Sequence, residues 1–240
     1  MRYFTLLLLL LLLFISCADK AVNLPQFPST QIKEVTDYSA IYFFYDATAQ
    51  NPPFLDMNDH NRIGTTNWVF HIDKDNLLKE VIPALVKFQK KRADAEMHKK
   101  EGFKHYFSYM DATQKSLAFT DFTKTIYTFN NYFSTQYVKE NPDYHQHFEV
   151  ISVNFTNENE VYINGFPFEL SEINEYLKDY VSFQNNDKKA LIYLNFEHNC
   201  SFGFYLQQVL KLQEIVNENI LLSDVQFIYD ENLLTSCDCK

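Results

Sequence analysis

The sequence predicts an α+β fold made of two tandem small domains, each a mixed sheet with two helices on one face. The second half of the chain places strand-like and helix-like hydrophobic patterns in the order β-β-α-β-α-β. The first half follows a degenerate version of the same order, displaced by about 90–100 residues. Hydrophobic residues make up 46% of the 240 positions, which is enough for a real core and argues against wholesale disorder.

An apolar run near the N terminus has the pattern of a bacterial lipoprotein signal. Leu6–Leu13 follow a single positive charge, and a small residue, Ser16, stands before Cys17. This pattern predicts that residues 1–16 are cleaved and that the Cys17 thiol is acylated. A retained transmembrane helix is the alternative, but the stretch of fourteen residues falls short of the about 20 that a spanning helix needs.

Residues 17–36 are predicted to be a tether that lifts a folded body off the membrane. Pro25 and Pro28 stand there among Ser, Thr and Gln, a composition typical of a linker. The expected location is the bacterial cell envelope, with a lipid anchor. Ala18, the residue after the acylated cysteine, favours the outer membrane with the body facing the periplasm.

The charge balance limits the classes of partner. The chain has 21 basic and 31 acidic residues, a net charge of −10, so nucleic acid is a poor partner. It has no nucleophile elbow, no phosphate-cradling glycine loop and no zinc-binding helix motif. We therefore expect a protein that is not an enzyme and needs no cofactor.

The domain predicted over 148–240 has the clearer elements. Two strands with a turn between them should form a hairpin, and Ser171 can cap the helix that follows. A buried strand, a second helix and a last strand complete the order. In chain order the segments are Phe148–Phe155, Glu160–Asn164, a helix with Ile173, Leu177 and Val181 on one face, Ala190–Phe196, a helix over about 201–217, and Val225–Tyr229.

The domain predicted over 37–134, followed by a linker over 135–147, is the degenerate copy. Its last element is predicted as a second helix, because Phe122, Ile126 and Phe129 follow a helical spacing after Ser116. Insertions fall at about 46–66 and 93–103. The earlier segments are Tyr38–Tyr45, Asn67–Ile72, a helix over Asn76–Lys91 that contains Pro83, and His105–Met110.

Several short motifs of the second half carry a family resemblance. They are the hairpin end Ile163-Asn164-Gly165, the acidic and leucine positions Glu169, Leu170 and Glu172, the buried strand Ala190–Leu194, and the pair Phe202-Gly203. Over about 148–234 they resemble the periplasmic domain of the ExbD/TolR family of biopolymer transport proteins. The resemblance implies a role beside an energy-transducing transport complex, as a scaffold or modulator.

The resemblance also has implications for pairing and for proton transport. Family domains tend to pair, so two copies in one chain imply either a monomer with an internal pseudo-dimer or a homodimer. Family members carry an acidic residue in an N-terminal transmembrane helix, whereas Leu6–Ile15 has none. A basic residue of the central strand is also replaced, with Tyr193 near that place. A proton-conducting role is therefore not implied.

The favoured function is docking to envelope proteins without catalysis. Pro52, Pro53 and Phe54 lie in the 46–66 insertion, and surface loops of this kind often carry recognition. Phe202 and Gly203 are further candidates for partner contact. An exposed sheet edge would also accept an extended segment from a partner.

Two other functions stay open at this level. An aromatic-rich interior, with Tyr193 or Phe202 in contact, would suit a carrier of a small molecule or lipid. Cys200, Cys237 and Cys239 would suit a redox or metal protein, through a disulfide between Cys200 and the tail or through a soft metal, although a flexible tail is favoured.

The histidines give weaker signals. His145 and His147 would share one face of a strand, as a metal site needs, but structural sites normally need four ligands. The sequence therefore favours no metal at this pair. His71 and His105 lie in apolar strands and are expected to be satisfied residues of the core or its rim.

Overall fold

The computed structural model describes residues 20–52, 54–94, 102–129, 133–157, 159–184 and 188–234. Within these ranges the chain forms two mixed sheets of six strands each and five α-helices. The predicted α+β class with two sheet-containing halves is confirmed. The predicted signal over 1–16 and the lipidation site Cys17 lie outside the described residues.

The first sheet is built around three parallel strands. Its strands are β1 (Gln26–Phe27), β2 (Tyr38–Tyr45), β3 (Leu55–Asn58), β4 (Asn67–Ile72), β5 (His105–Asp111) and β6 (Ser116–Asp121). Strands β2, β4 and β5 run parallel to one another, and β1 runs parallel to the end of β5. Strands β3 and β6 run antiparallel to β2 and β5, respectively.

Helix α1 (Leu78–Ala93) is the crossover between the parallel strands β4 and β5. Leu78, Val81, Leu85 and Phe88 are buried at intervals of three and four residues, which places them on one face of the helix. These are residues of the predicted inward face. Pro83 lies in the second turn, and the helix continues past it to Ala93.

The second sheet has four parallel strands and a short antiparallel extension. Its strands are β7 (Ile126–Phe129), β8 (Phe148–Phe155), β9 (Val161–Ile163), β10 (Phe166–Phe168), β11 (Lys189–Glu197) and β12 (Ile220–Tyr229). Their spatial order is β10-β9-β8-β11-β12-β7. The strands predicted at 148–155 and 190–196 are confirmed, and the last strand begins earlier than predicted.

Helices cover both faces of the second sheet. They are α2 (Ser134–Glu140), α3 (Pro142–His145), α4 (Ile173–Gln184) and α5 (Phe202–Gln213). Helices α4 and α5 share the main core with β11 residues such as Ile192 and Leu194. On the opposite face, Tyr137 and Val138 of α2 pack against Tyr193 and its neighbours.

The second helix predicted for the first half is wrong. Residues 116–129 instead form β6 and β7, separated by a turn in which the Asp121 side chain accepts a hydrogen bond from the Thr123 amide, 2.9 Å. Thr, Phe, Ile and Tyr dominate this stretch, and β-branched and aromatic residues favour strands. The helical spacing of residues 122, 126 and 129 is also not decisive, because Ile126 and Phe129 lie in β7, which pairs with β12 of the second sheet.

The segment predicted as a tether also differs. From Lys20 onward it lies against the first sheet as an arm, which we define as residues 20–36. Strand β1 pairs with β5, and Ile32 exchanges two backbone hydrogen bonds with Phe119. Val35 is 7% exposed. The scattered apolar residues Phe27, Ile32 and Val35 thus fix most of this segment to the body.

The two halves meet where β4 and β11 each lead into a helix. The loops after these strands pair through an antiparallel bridge between Leu77 and Ser201. The Phe202 amide donates to the Asn76 carbonyl, 2.7 Å, and the Leu78 amide to the Cys200 carbonyl, 3.0 Å. One continuous hydrophobic core runs through both halves.

Candidate docking groove

The insertion over 46–66 folds against α1 and forms a surface groove with it. Its floor is apolar: Leu55 and Met57 of β3 face Pro83, Ala84 and Phe88 of α1 across a volume of about 500 Å³. Met57 is 47% exposed, which is high for a large apolar side chain.

The register of β3 aims its side chains into this groove. Met57 pairs with Phe43, which is fully buried under α1, and paired residues of neighbouring strands share a face. Leu55 therefore also faces the helix, whereas Asp56 faces the opposite side. Strand β3 ends the spatial order of the first sheet, so its outer backbone groups have no neighbouring strand among the described residues.

The rim of the groove is basic. Of the described residues that line the groove, four are cations, Arg62, Lys79, Lys87 and Lys91, and one, Glu80, is acidic. The Glu80 carboxylate accepts from the Phe54 amide at 3.1 and 3.2 Å, so it is occupied in holding the loop. This local balance is opposite in sign to the net charge of −10.

The cations differ in how tightly they are held. Arg62 pairs with Asp59, and Lys79 donates to the Asn199 side chain at 2.9 Å. Lys87 and Lys91 are exposed, and neither forms an ion pair with any described residue. These two lysines are therefore the charges of the rim most available to an anionic group.

An aromatic and arginine stack adjoins the groove through Arg62 and Phe88, which both line it. The Arg62 guanidinium lies 5.0 Å from the ring centre of Phe88 and 5.3 Å from that of Trp68. The Arg92 guanidinium also lies over Trp68, 3.7 Å from the centre of its ring. Burial, followed by the charge of Arg62, lowers the pKa of Arg92 to about 10. Arg92 is thereby held as a packing group as well as a charge.

Of the predicted contact residues of the insertion, Phe54 is tied to this groove through the hydrogen bonds from its amide to Glu80. Pro52 is exposed, and Phe54 is half-buried with its ring 5.9 Å from that of Tyr45. Pro53 lies outside the described residues. Sequence reasoning missed Leu55, Met57 and the lysines of α1, because the groove exists only once the insertion lies beside the helix.

The other two contact candidates, Phe202 and Gly203, are largely buried. Phe202 is fully buried, and its ring lies 5.2 Å from that of Phe107 in the first half. A Cβ on Gly203 would lie 2.9 Å from the Cβ of Lys74. Both residues therefore join the two halves of this chain, and their contact with a separate partner stays a prediction.

Cys200 is buried, and it forms no disulfide with any residue that the structure describes. It is 2% exposed, and its sulfur lies 4.0 Å from the Phe155 carbonyl oxygen. Burial, followed by the charge of Glu197, raises the pKa of this thiol to about 12, so it is a poor nucleophile near neutral pH. Cys237 and Cys239 lie outside the described residues. Within those residues no group of three or more His, Cys, Asp or Glu side chains is arranged to hold a metal ion.

His145 is a structural residue of the second half. Its Nδ1 donates to the Asn141 carbonyl at 2.6 Å, and its Nε2 accepts from the Tyr193 hydroxyl at 2.8 Å. Both ring nitrogens are thus occupied, and the pair fixes α3 to the sheet. His147 is exposed, so the two imidazoles do not share a face.

His71 and His105 are both core residues but differ in their partners. His71 Nδ1 lies 2.8 Å from the Ser108 hydroxyl, as expected for a satisfied residue. His105 stacks on Trp68 at 5.3 Å, but neither ring nitrogen has a hydrogen-bond partner within the described residues. Burial lowers the pKa of each to about 4, aided at His105 by the charge of Arg92.

The aromatic interior is occupied by its own side chains. The rings of Tyr137 and Phe227 each lie 6.0 Å from the ring of Tyr193, which is 2% exposed. Tyr205 donates to the Gln226 side chain at 2.8 Å. Tyr193, one of the residues that a carrier would use, therefore packs against neighbouring aromatic side chains.

No protein-family model, curated protein or solved structure matches the chain. The ExbD/TolR resemblance therefore stays a prediction. The longest described helix has 16 residues, and within the part of the chain that the structure describes no helix has both the length and the apolar character to cross a membrane.

Proposed function

We propose that this chain is a non-catalytic, lipid-anchored docking protein of the bacterial envelope that binds a partner protein in the groove. The observation that carries the proposal is the free edge strand β3 beside an apolar floor with a basic rim. Exposed edges with an adjacent apolar groove bind extended peptides by strand addition.

The geometry of the groove defines the chemistry of the segment it takes. A peptide paired with β3 places every second side chain over Leu55 and Met57, so apolar residues suit those positions. Lys87 and Lys91 favour acidic residues at the rim. The partner segment is therefore extended and alternates apolar with acidic or neutral side chains.

The chemistry of the other reactive side chains supports a function without catalysis. The Cys200 thiol is buried and protonated near neutral pH, and the nitrogens of His145 are both engaged in positioning α3. Each therefore has a packing role that accounts for its place in the fold.

The resemblance of residues 148–234 to the ExbD/TolR domain extends the proposal to the kind of assembly. It favours a partner from an energy-transducing transport complex of the envelope. The groove lies on the first half, so the second half stays free to make a family-type contact of its own.

The experiment places a photo-crosslinking residue at position 57 of the full-length lipoprotein in intact cells. A specific protein adduct is expected, and Lys87→Glu with Lys91→Glu should lower its yield about tenfold, equivalent to about 1.4 kcal/mol. The matched control is Lys139→Glu with Lys178→Glu, which changes the net charge equally on exposed faces of α2 and α4.

The outcomes separate the candidate functions. An adduct that survives reversal of the two groove lysines but is lost in the control would contradict docking at this groove. A lipid or small molecule bound in place of a protein would favour the carrier. Adducts with protein subunits of a transport complex would extend the proposal to the assembly that the resemblance implies.

A further inference from the structure

The folded body begins very close to the predicted anchor. Asn23 is fixed to the loop after β4, because its amide donates to the Asp73 carboxylate at 2.8 Å and its carbonyl accepts from the Lys74 amide at 2.8 Å. Before it, Lys20 pairs with Asp56, and its ammonium lies 5.9 Å from the ring centre of Phe44.

These contacts set the distance between body and anchor. An extended chain spans at most about 3.6 Å per residue, so the Cα atom of Cys17 lies within about 11 Å of that of Lys20 and about 22 Å of that of Asn23. A lipid on Cys17 therefore holds the body against the bilayer. It also selects which face meets the bilayer, since Lys20 docks at the β2–β3 edge of the first sheet.

The face beside Lys20 is aromatic, and no helix of the described residues covers it. Along β2, Ile41 and Phe43 point into the core, so Tyr38, Ala40, Tyr42 and Phe44 line the opposite side, which we call the outer face. Tyr38 and Tyr42 are 44% and 36% exposed. The Tyr42 ring stacks on that of Phe44 at 5.8 Å.

The corresponding face of the second sheet is covered. There, α2 and α3 pack over Tyr193 and its neighbours. In the first sheet, the residues that pack on this side are Ile32 and Val35 of the arm, and they cover Val69 rather than the stripe on β2. Among the described residues, no helix packs on the outer face, which begins next to the predicted lipid anchor.

The geometry points to the membrane itself as the partner of the outer face: Tyr38, Tyr42 and Phe44 lie in the headgroup region of the bilayer that holds the acylated Cys17. Tyrosine suits this position, because its ring is apolar and its hydroxyl hydrogen-bonds at the wet boundary. The inference rests on the lipid anchor of the proposed function but not on the groove.

The two surfaces then have complementary orientations. Leu55 and Met57 face α1, whereas Asp56 and Phe44 face the other side of the same sheet. With the outer face on the bilayer, the groove opens away from the lipid. The membrane contact therefore presents the groove to proteins of the periplasm.

The test is photo-crosslinking of the full-length protein in intact bacterial cells. The crosslinking residue replaces Tyr42, or, as the matched control, Tyr144 of α3, a tyrosine that is more exposed at 56%. We expect phospholipid adducts at position 42 with a yield at least tenfold above that at position 144. Circular dichroism confirms the fold of each variant.

A second variant tests the short anchor. Fifteen Gly and Ser residues inserted between Ala18 and Asp19 free the body from the bilayer, and the lipid adduct at position 42 should fall at least threefold. Equal yields at positions 42 and 144, a yield unchanged by the insertion, or an adduct at position 42 with protein or with residues 1–16 in place of lipid would overturn the inference.

The readouts keep this inference separate from the proposed function. Mass spectrometry of the N-terminal peptide reports the acyl group on Cys17, and its absence would overturn the anchor that both share. An acylated protein that gives the protein adduct at position 57 but no lipid adduct at position 42 would overturn only the membrane contact. The reverse pattern would overturn only the groove.

Discussion

The contact between Phe107 and Phe202 should couple the stability of the two halves. Phe202 begins α5 in the second half, and Phe107 lies on β5 in the first. Their rings meet edge to face, 5.2 Å apart at 72°, and they are 0% and 2% exposed. Truncating either ring to alanine removes core packing worth about 3–5 kcal/mol.

The magnitude decides how the experiment is designed. A loss of about 3–5 kcal/mol is a large share of the about 5–15 kcal/mol that stabilises a typical domain. Leucine replacements keep most of the volume, so Phe107→Leu, Phe202→Leu and the double variant are the better set. Because an edge-to-face pair adds about 0.5–1.5 kcal/mol beyond burial, the double variant should lose less than the sum of the single losses by that amount.

The assay is denaturant unfolding of the purified protein, followed by circular dichroism. The reference is Phe183→Ala, since Phe183 is 88% exposed and should change the free energy of unfolding by under about 0.5 kcal/mol. The two halves should unfold in one transition. Additive losses from the two leucine replacements, or two separate transitions in the parent protein, would refute the reasoning that one core joins the halves.

Three further predictions concern single sites. Gly203→Val should lower the free energy of unfolding by about 1–3 kcal/mol, because even its Cβ meets Lys74 at 2.9 Å; denaturant midpoints measure this. Stability should fall as pH drops from about 6.5 to about 4, because the folded-state pKa values of His71 and His105 are lowered and the unfolded chain takes up protons first. The loss is up to about 3 kcal/mol per histidine, measured as the free energy of unfolding against pH. Cys200 should resist alkylation at pH 8 in the native protein and react once it is unfolded, as mass spectrometry would report.

For each of these three predictions, a control variant or a specific outcome would contradict the reasoning. Gly64→Val is the control for the first, because a Cβ at Gly64 meets open space, and equal losses at the two glycines would contradict the close approach. His105→Phe should remove about half of the acid sensitivity, and an unchanged pH profile would contradict the assignment to this histidine. Alkylation of Cys200 in the native protein, at the rate of a free thiol, would show that the site opens.

The sequence predicted well where hydrophobic runs were long and bounded by turns. Phe148–Phe155 and the helix after Ser201 are confirmed, because each carries a clear period and a recognisable beginning. At Ser201 the side chain accepts a hydrogen bond from the Phe204 amide, as an N-cap should. Local patterns of this kind contain enough information to place an element.

Prediction failed where a pattern had two solutions or depended on distant neighbours. Phe122, Ile126 and Phe129 fit a helical face, but pairing with β5 and β12 decides for strands. Likewise, Phe27 and Val35 stand too far apart in sequence to signal a packed segment, yet both are buried against the body. Tertiary contacts decide these segments.

The candidate groove also depends on tertiary contacts that the sequence does not reveal. The sequence singled out the 46–66 insertion for its prolines and aromatic residue, and that loop does border the groove. Met57 stands in a segment without strand-like alternation, and Lys87 and Lys91 look like ordinary solvent-facing lysines of a helix. Only their juxtaposition makes a basic rim above an apolar floor, and juxtaposition has no local signature.

Strand β7 has a consequence for any attempt to divide the chain. A cut at residue 134, where the sequence places the end of the first domain, leaves β7 on the N-terminal fragment although its hydrogen bonds belong to β12. The C-terminal fragment would then present Val225–Ile228 as a bare edge, and the N-terminal one would carry Ile126 and Phe129 without a sheet to join. Bare apolar edges of this kind pair with other chains. Separately expressed halves are therefore expected to aggregate, and to recover solubility when they are produced together.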